Sequence, residues 1–449
     1  MRFFLFIFIL YCAPLSAHSA ILDIQEVKTK SGITAWLVED KTTDVISIEY
    51  IFKGAGARND PPALQGLTRI LSNTLDEGAG QYNSTDFQNK LNQYSISLSF
   101  SAGRDDFGGS LKTLRQYKDK AFELWRLSLN EPRFEADAVS RMIDANKSRI
   151  LQDKTDPEWM LARLENDVLY KDHPYALNTG GTLTTLSKIT PDLLRQKWRA
   201  DLTQDRVVIA VAGNISKNEL VSVLDDVFLK LPVTHKMIDE TPLVDISKTP
   251  QKILFKHDMP QSLVSIAGQG VSFKDPDYFA AAVTNQIFGG GGFGSRLTDI
   301  VREQKGLTYG IYSDFSEMDY ARIFSISTSV QNQNVEKLLE AIESEAIRIQ
   351  SEPVSVGELV HAQSYLIGSV PLQLTSTGKI ASMMLSFQKW GLPKNYLDIR
   401  AEGIRRVTQS DVMKAAKKYF SMDDFTVIIV GDPKYYKPDI IYKTLPNVE

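Results

Sequence analysis

The segment Val207-Val-Ile-Ala-Val-Ala-Gly213 decides the fold, because a similar segment returns near the end of the chain as Val427-Ile-Ile-Val-Gly431. Each is a short apolar run that ends in glycine, which is typical of a buried strand. Shortly before each run lies a predicted helix with a threonine cap, at Thr190 and at Thr408. The repeated order, at an offset of about 218 residues, indicates an internal duplication.

Strand-rich segments that precede helices also open each half. Ile46–Gly54 comes before a predicted helix over Leu64–Leu75, and Leu263–Ser272 comes before one over Tyr278–Ile287. Chance echoes occur in any α+β protein of this size, but four echoes in the same order favour duplication. We therefore predict an α+β fold of two homologous halves, each an antiparallel sheet with helices packed on one side.

Length and composition predict where the halves meet. The 449 residues exceed the usual size of one domain. A polar stretch with prolines at 232, 242 and 250 predicts a linker over residues 232–252. This assigns residues 21–231 to an N-terminal half and residues 253–449 to a C-terminal half.

Residues 1–20 are typical of a secretory signal peptide. Arg2 is followed by the apolar run Phe3–Tyr11 and by a zone of small residues. That run is about half of the roughly 20 residues that a spanning helix needs. The bulky Tyr11 before Cys12 disfavours a lipoprotein acceptor, although lipid anchoring stays open. We expect an exported chain, periplasmic or secreted, with no membrane span after cleavage.

The charge balance and the single cysteine restrict the kinds of partner and site. Lys+Arg 51 against Asp+Glu 55 gives a net charge of −4, and the absence of a long basic run argues against nucleic acid as a partner. Cys12 is the one cysteine, so the chain beyond the predicted signal has no disulfide and no cysteine-ligated metal site.

The helix after Phe52-Lys-Gly-Ala-Gly56 carries the first family resemblance. Its sequence, Gly66-Leu-Thr-Arg69-Ile-Leu-Ser72-Asn73, resembles the start of a pitrilysin/insulinase-type zinc peptidase of the processing-peptidase branch. The resemblance implies an H-x-x-E-H motif in active members, whose histidines share one helix face and bind zinc while the glutamate activates water. Here Arg69, Ser72 and Asn73 hold those positions, and arginine, serine and asparagine cannot replace these ligands and this base.

Other parts of the first half agree with an inactive member. The family's remaining ligand is a glutamate roughly 75 residues further on, yet no glutamate occurs between Glu135 and Glu158. We interpret the adjacent Asp76 and Glu77 as solvated surface, and Leu75-Asp-Glu-Gly-Ala-Gly80 resembles a run in the family's inactive subunits. His173, in a His-Pro-Tyr stretch that also resembles the family, is interpreted as structural. We therefore expect no cofactor bound by this chain and zinc in a partner subunit.

The most specific resemblance lies in the second half. Phe288-Gly-Gly-Gly-Gly-Phe-Gly-Ser-Arg-Leu297 leads into Val301-Arg-Glu-Gln-Lys-Gly-Leu-Thr-Tyr309, which resembles the family's S-R-L…R-E-x-x-G-L-x-Y signature. The resemblance implies that Arg302 and Tyr309 bind substrate and stabilise the transition state, because guanidinium and phenol donors suit a developing oxyanion. The alternative is a surface ion pair of Arg302 with Glu303 and core packing of Tyr309.

The glycine run indicates a function less specifically than the signature that follows it. Gly290, Gly291 and Gly292 invite a nucleotide-binding interpretation, but the surrounding sequence has no βαβ pattern and no Walker lysine. A mobile loop at the rim of a peptide chamber suits them better, so we predict that they bind substrate. Arg296 is predicted to be structural.

The leading hypothesis is the non-zinc subunit of an exported heterodimeric metallopeptidase. A zinc-bearing homologous subunit would hydrolyse peptides bound by strand addition, and this chain would contribute Arg302 and Tyr309 and be inactive alone. The alternative is an inactive peptide-binding module or structural core subunit. An independent hydrolase is disfavoured, since the sequence has no G-x-S-x-G elbow and few histidines.

Overall fold

The computed structural model describes residues 21–233, 241–246, 250–291 and 294–449. The predicted signal peptide and Gly292 lie outside the described residues. The strands of the described part are β1 (Gln25–Lys28), β2 (Thr34–Glu39), β3 (Val45–Phe52), β4 (Ser97–Ala102), β5 (Phe107–Leu114), β6 (Val207–Gly213), β7 (Lys252–Lys256), β8 (Gln261–Gln269), β9 (Ile311–Met318), β10 (Ala321–Gln331), β11 (Thr426–Gly431) and β12 (Ile440–Tyr442). Its α-helices are α1 (Leu67–Thr74), α2 (Ser84–Gln93), α3 (Lys118–Asn130), α4 (Ala136–Asp153), α5 (Pro157–Leu169), α6 (Leu183–Leu186), α7 (Pro191–Asp201), α8 (Lys217–Phe228), α9 (Tyr278–Phe288), α10 (Val335–Ser351), α11 (Val356–Gly368), α12 (Thr377–Trp390), α13 (Tyr396–Arg406) and α14 (Gln409–Tyr419).

The two sheets repeat one topology. The first has the order β1-β2-β6-β3-β5-β4 and the second the order β12-β7-β11-β8-β10-β9. When the outermost strands β1 and β12 are left out, the order β2-β6-β3-β5-β4 of the first sheet corresponds strand by strand to the order β7-β11-β8-β10-β9 of the second. The predicted α+β fold of two homologous halves is confirmed.

Both sheets are mixed, which differs from the predicted purely antiparallel arrangement. β2 runs parallel to β6, and β7 runs parallel to β11 and β12, whereas the other neighbours are antiparallel. A parallel pair needs a long connection, and the chain supplies one because β2 and β6 lie at opposite ends of the first half. The apolar pattern of a strand does not reveal its direction, so the sequence could not predict these pairs.

Within each half, one face of the sheet packs against that half's own helices. In β3, every second residue from Ile46 to Phe52 is buried in the first core, as the two-residue period of a strand requires. Tyr50 and Phe228 each lie 5.3 Å from the ring of Trp125, between centroids, so aromatic packing joins β3 to α3 and α8.

The other face of each sheet is covered by a helix from the other half. α12 contacts β2, β3 and β6, and α5 contacts β8 and β11. The two helices begin at residues 157 and 377, so they are equivalent under the duplication. Helices therefore lie on both faces of each sheet, which corrects the predicted one-sided packing. Each half thus packs one of its helices on the sheet of the other half, and the apolar contacts of these two helices hold the halves together.

The predicted linker lies only in part within the described residues. Val244 donates its backbone N–H to the Tyr320 carbonyl at 2.7 Å, and Ile246 is buried with Tyr170 and Tyr175. Lys252, the last residue predicted for the linker, is the first residue of β7. The domain boundaries themselves stay a prediction.

Across the described residues, no helix combines the length and the apolar character needed to cross a membrane.

Candidate functional site

A contact between glycines fixes the start of α1, the helix with the predicted zinc positions. Gly66 has φ +88°, and a Cβ there would lie 2.7 Å from the Gly181 Cα. The turn that contains Gly180 and Gly181 thus packs directly against the beginning of α1. This turn follows the His-Pro-Tyr stretch in the sequence, so the structure places the region just after that stretch against the start of α1.

The three residues at the degenerate H-x-x-E-H positions all lie on α1, and they do not form a metal site. The Ser72 hydroxyl donates to the Arg69 carbonyl of its own helix at 2.8 Å, and lies 3.4 Å from the Asn73 Oδ1. The Arg69 side chain is half-buried, and its Nε is buried without a hydrogen-bond partner in the described part of the chain. A fixed cation therefore stands where a histidine ligand would be needed.

A second arginine stands near the position expected for the remaining ligand. Arg149, on α4, comes close enough to Arg69 for its charge to act on that group, since burial and then Arg149 lower the pKa of Arg69. Arg149 also donates from Nη2 to Oδ1 of the buried Asn146 at 3.4 Å. Two guanidinium groups repel a divalent cation, so these residues do not fit zinc.

The structure corrects the interpretation of Asp76 and Glu77 as solvated surface. Both are half-buried. Burial raises the pKa of Asp76 to about 6, whereas Glu77 accepts from the Ser84 hydroxyl at 2.6 Å and pairs with Arg141 at 3.2 Å. In the part of the chain that the structure describes, no group of three or more His, Cys, Asp and Glu side chains could hold a metal ion.

His173 lies at a turn, as predicted. Its Nδ1 accepts from the Tyr175 N–H at 3.1 Å, so Nε2 carries the proton and faces the Pro242 carbonyl at 3.1 Å. Burial lowers the pKa of His173. The ring therefore joins the turn to the chain segment between the halves.

Arg302 and Tyr309 line one pocket of the second half. Arg302 belongs to a short π-helical segment over Thr298–Gln304, and Tyr309 lies just before β9. The pocket has a volume of about 350 Å³ and includes Gln261 and Gln331, which are paired across β8 and β10. Arg302 and Tyr309, which are seven residues apart in the sequence, thus border the same surface at one end of the second sheet.

The alternative to a substrate-binding role is core packing of Tyr309 and a surface ion pair of Arg302 with Glu303, and the structure agrees with only one part of it. Tyr309 is 86% exposed, so the alternative of core packing is wrong for it. Its backbone neighbours are held, since the Thr308 hydroxyl accepts from the Gly310 N–H at 3.1 Å and lies 3.0 Å from the Thr328 hydroxyl. Arg302 does form the alternative's ion pair, with 3.3 Å between its Nε and the Glu303 carboxylate.

The glycines of the run differ from one another. A Cβ on Gly290 would lie 2.7 Å from the Gln286 Cα, so Gly290 packs closely on the end of α9. Gly291 has φ +74°, and a Cβ there would have no atom of the other described residues within 4 Å. The predicted substrate-binding role of Gly290, Gly291 and Gly292 stays a prediction. Arg296 donates from Nε to Glu358 at 2.7 Å and is nearly buried, which agrees with a structural role.

Two family models match the chain. The model described as "Insulinase (Peptidase family M16)" matches residues 36–182, and the model described as "Peptidase M16 inactive domain" matches residues 188–366.

The curated relatives extend this similarity over most of the chain. The "Non-peptidase homolog YmxG" of Helicobacter pylori is 26% identical over 393 residues, which covers 86% of this chain and 89% of the relative. The "Mitochondrial-processing peptidase subunit beta" of Saccharomyces cerevisiae is 22% identical over 421 residues, covering 89% of this chain and 87% of that subunit.

Solved structures have the same fold. The peptidase M16 inactive domain from Pseudomonas fluorescens superposes with a TM-score of 0.83 at 25% identity and covers 93% of this chain and 100% of its own. A protease from Helicobacter pylori gives a TM-score of 0.81 at 16% identity, covering 91% and 100%.

Proposed function

The chain belongs to the M16 peptidase family and has an arginine and an asparagine where that family's motif has its zinc-binding histidines and a serine where it has the catalytic glutamate; on this premise we propose that it is the non-zinc subunit of an exported heterodimeric metallopeptidase. A homologous partner subunit supplies the zinc and the general base. This chain supplies substrate-binding and oxyanion-stabilising donors, and is inactive alone.

The observation that carries the proposal is the shared pocket of Arg302 and Tyr309. A phenol ring that is 86% exposed gains little from burial, so stability does not explain its placement. Tyr309 and Arg302 line the same cavity, and a phenol hydroxyl and a guanidinium are both hydrogen-bond donors. Two such donors suit a peptide carbonyl and the negative charge that develops on its oxygen.

Separate subunits can divide this chemistry, because the positioning of a carbonyl and the activation of water use different groups. An edge strand of the first half supports peptide binding. β4 ends the first sheet, contacts α1, and pairs on one side with β5. An extended peptide that adds to the other side of β4 forms main-chain hydrogen bonds with little dependence on sequence.

The test is a peptidase assay on quenched fluorescent peptides with three samples. These are the chain without residues 1–20, a zinc-motif homologue from the same source, and an equimolar mixture of the two. We expect activity in the mixture alone. Arg302→Ala and Tyr309→Phe should each lower kcat by about 100-fold, the effect of removing one oxyanion donor, while Arg405→Ala, at an exposed arginine of α13, should have no effect. Equal activity of the homologue with and without this chain would overturn the proposal.

The ion pair between Arg302 and Glu303 favours a second candidate, an inactive peptide-binding or structural core subunit. In that case the homologue needs this chain for assembly but not for chemistry. Arg302→Ala would then leave the activity of the mixture unchanged, although the two chains still co-elute on a sizing column.

Export is part of the proposal and has its own test. We expect the chain in the periplasmic or extracellular fraction, with a mass that shows cleavage between Ala17 and Ala20. A cytoplasmic chain that retains Met1 or Arg2 would contradict it.

A further inference from the structure

The two arginines at the degenerate zinc positions are placed together by the fold. Gly66, at the start of α1, touches Gly181, and a Cβ on the adjacent Gly180 would lie 3.1 Å from the Arg149 Nη2. Arg69 follows Gly66 by less than one helical turn. α1 and α4 are also in direct contact, so both guanidinium groups lie at one junction of two helices and a turn.

Among the residues that the structure describes, neither guanidinium has an anionic partner at this junction. Within residues 21–233, 241–246, 250–291 and 294–449, Arg69 and Arg149 form no ion pair with a carboxylate. The polar contact of Arg149 is a long hydrogen bond to the neutral Asn146 amide. By contrast, Arg141 on the same helix pairs with Asp137 at 2.8 Å and with Glu77 at 3.2 Å.

An unpaired cluster of this kind carries an unfavourable energy. The Arg69 Nε is removed from water and has no acceptor among the described residues, which leaves a donor of a charged group unsatisfied. Arg149 adds like-charge repulsion. An anion at this junction would satisfy the donor and reverse the repulsion, and Arg149 is exposed, so the ligand can reach the site from solvent.

We propose that Arg69 and Arg149 bind a carboxylate of an extended peptide, at the place where the family resemblance locates the metal of active members. Guanidinium groups match the planar, two-oxygen geometry of a carboxylate, and the edge strand β4 beside α1 accepts extended backbone. The site in this chain thus binds an anion where active members of the family bind a metal cation. The inference rests on the proposed function in that its ligand is a peptide, but it needs no partner subunit.

The chain without residues 1–20 is tested alone, by fluorescence anisotropy of labelled ten-residue peptides at low salt. One peptide has a free C-terminal carboxylate and no acidic side chain, and a second is its C-terminal amide. A third is amidated and has one central Glu, and a fourth has Gln in its place. Whichever acid binds more tightly than its matched amide identifies whether the carboxylate is terminal or from a side chain. We expect a preference of tenfold or more for one of the acids.

Two variants assign that preference to the arginines. Arg149→Gln changes an exposed side chain and should abolish the preference for the acid while leaving the weak binding of the amide unchanged. Arg141→Gln should preserve the preference for the acid, because Arg141 is already paired with Asp137 and Glu77 in the chain itself. Equal affinity for an acid and its amide in both pairs, a preference that survives Arg149→Gln, or no peptide binding at all would each overturn the inference.

A second readout does not depend on peptide affinity. Removing one of two repelling cations should raise the urea midpoint of unfolding in Arg69→Gln without ligand, and the acidic peptide should raise the midpoint of the wild type but not of Arg69→Gln. A lower midpoint in Arg69→Gln without ligand, at an unchanged circular dichroism spectrum, would contradict the unpaired cluster. These results are independent of Arg302, so they separate this inference from the proposed function.

Discussion

Lys389, on α12 of the second half, forms an ion pair with Asp106 of the first half, with 2.5 Å between Nζ and Oδ2. Asp106 is buried, and its other oxygen accepts from the Gly54 N–H at 2.9 Å. Lys389 also lies 3.6 Å from Asp319. Burial alone would lower the pKa of Lys389, but the carboxylates of Asp106 and Asp319 raise it. The lysine is therefore charged at neutral pH and links α12 to the first sheet.

We expect Lys389→Met to destabilise the joined halves strongly. The methionine fills a similar volume but leaves the buried Asp106 carboxylate without its cation, which costs about 3 kcal/mol of the free energy of unfolding. Urea denaturation followed by tryptophan fluorescence measures the change. The matched control is Lys414→Met, because Lys414 is exposed and its ion pair with the partly exposed Asp411, at 3.5 Å, should contribute less than about 0.5 kcal/mol. Equal losses in the two variants would contradict the linking role.

The sequence predicted each half better than it predicted their union. The apolar runs before Gly213 and Gly431 predicted strands, and the threonine caps before α7 and α14 are present as predicted, at Thr190 and Thr408. These features depend on local periodicity and capping. The placement of α12 on the first sheet depends on contacts between residues hundreds of positions apart, and no local pattern encodes them.

The second prediction concerns a buried tyrosine that joins the halves. The Tyr175 hydroxyl donates to the Asp105 carboxylate at 2.5 Å and accepts from the Tyr320 N–H at 3.2 Å. Tyr175→Phe keeps the ring but removes both bonds, so we expect a loss of about 1–3 kcal/mol in unfolding free energy. Tyr435→Phe, at a tyrosine that is 80% exposed, is the control and should change nothing. A Tyr175→Phe chain as stable as the wild type would show that water replaces the hydroxyl.

The candidate sites show the same difference: a local motif could predict one of them, whereas the other depends on a contact between residues that are distant in the sequence. The family resemblance implied that Arg302 and Tyr309 act together, and the two residues do share a pocket. Arg149 was missed as a functional residue, although it lies at about the spacing where the family resemblance implies a glutamate. The sequence lacks the implied glutamate, but an arginine near its place indicates a function only when the fold is known to bring Arg69 close to it.

The third prediction separates the two described glycines of the run. Gly290→Ala places a Cβ 2.7 Å from the Gln286 Cα and 2.9 Å from the Asn285 carbonyl oxygen, so we expect it to cost about 2 kcal/mol in overpacking. Gly291→Ala meets no atom of the described residues within 4 Å but strains a positive φ, at about 1 kcal/mol. Gly291→Asn should cost less than Gly291→Ala, because asparagine enters this region more readily. Thermal unfolding of the three variants measures the order, and Gly291→Ala as the least stable of them would contradict it.

The fourth prediction is a pH dependence that originates at Glu49. This residue follows Ser47 by two positions in β3, and the Ser47 hydroxyl lies 2.8 Å from that of Thr377 at the start of α12. Glu49 therefore faces the α12 side of the first sheet, where burial raises its pKa from 4.5 to about 7. The folded chain holds a proton there that the unfolded chain releases above pH 4.5.

The sign of the effect follows from this difference in bound protons. The contribution of Glu49 to stability is fully present below pH 4.5 and is lost as pH rises through 7. Urea midpoints measured from pH 4.5 to 8 should therefore fall in the wild type relative to Glu49→Gln, and the difference should become constant above pH 8. Glu343→Gln, at an exposed glutamate of α10, is the control, and its curve should stay parallel to the wild type. If the Glu49→Gln curve were also parallel, the carboxyl would be solvated in the folded chain and α12 would not cover it.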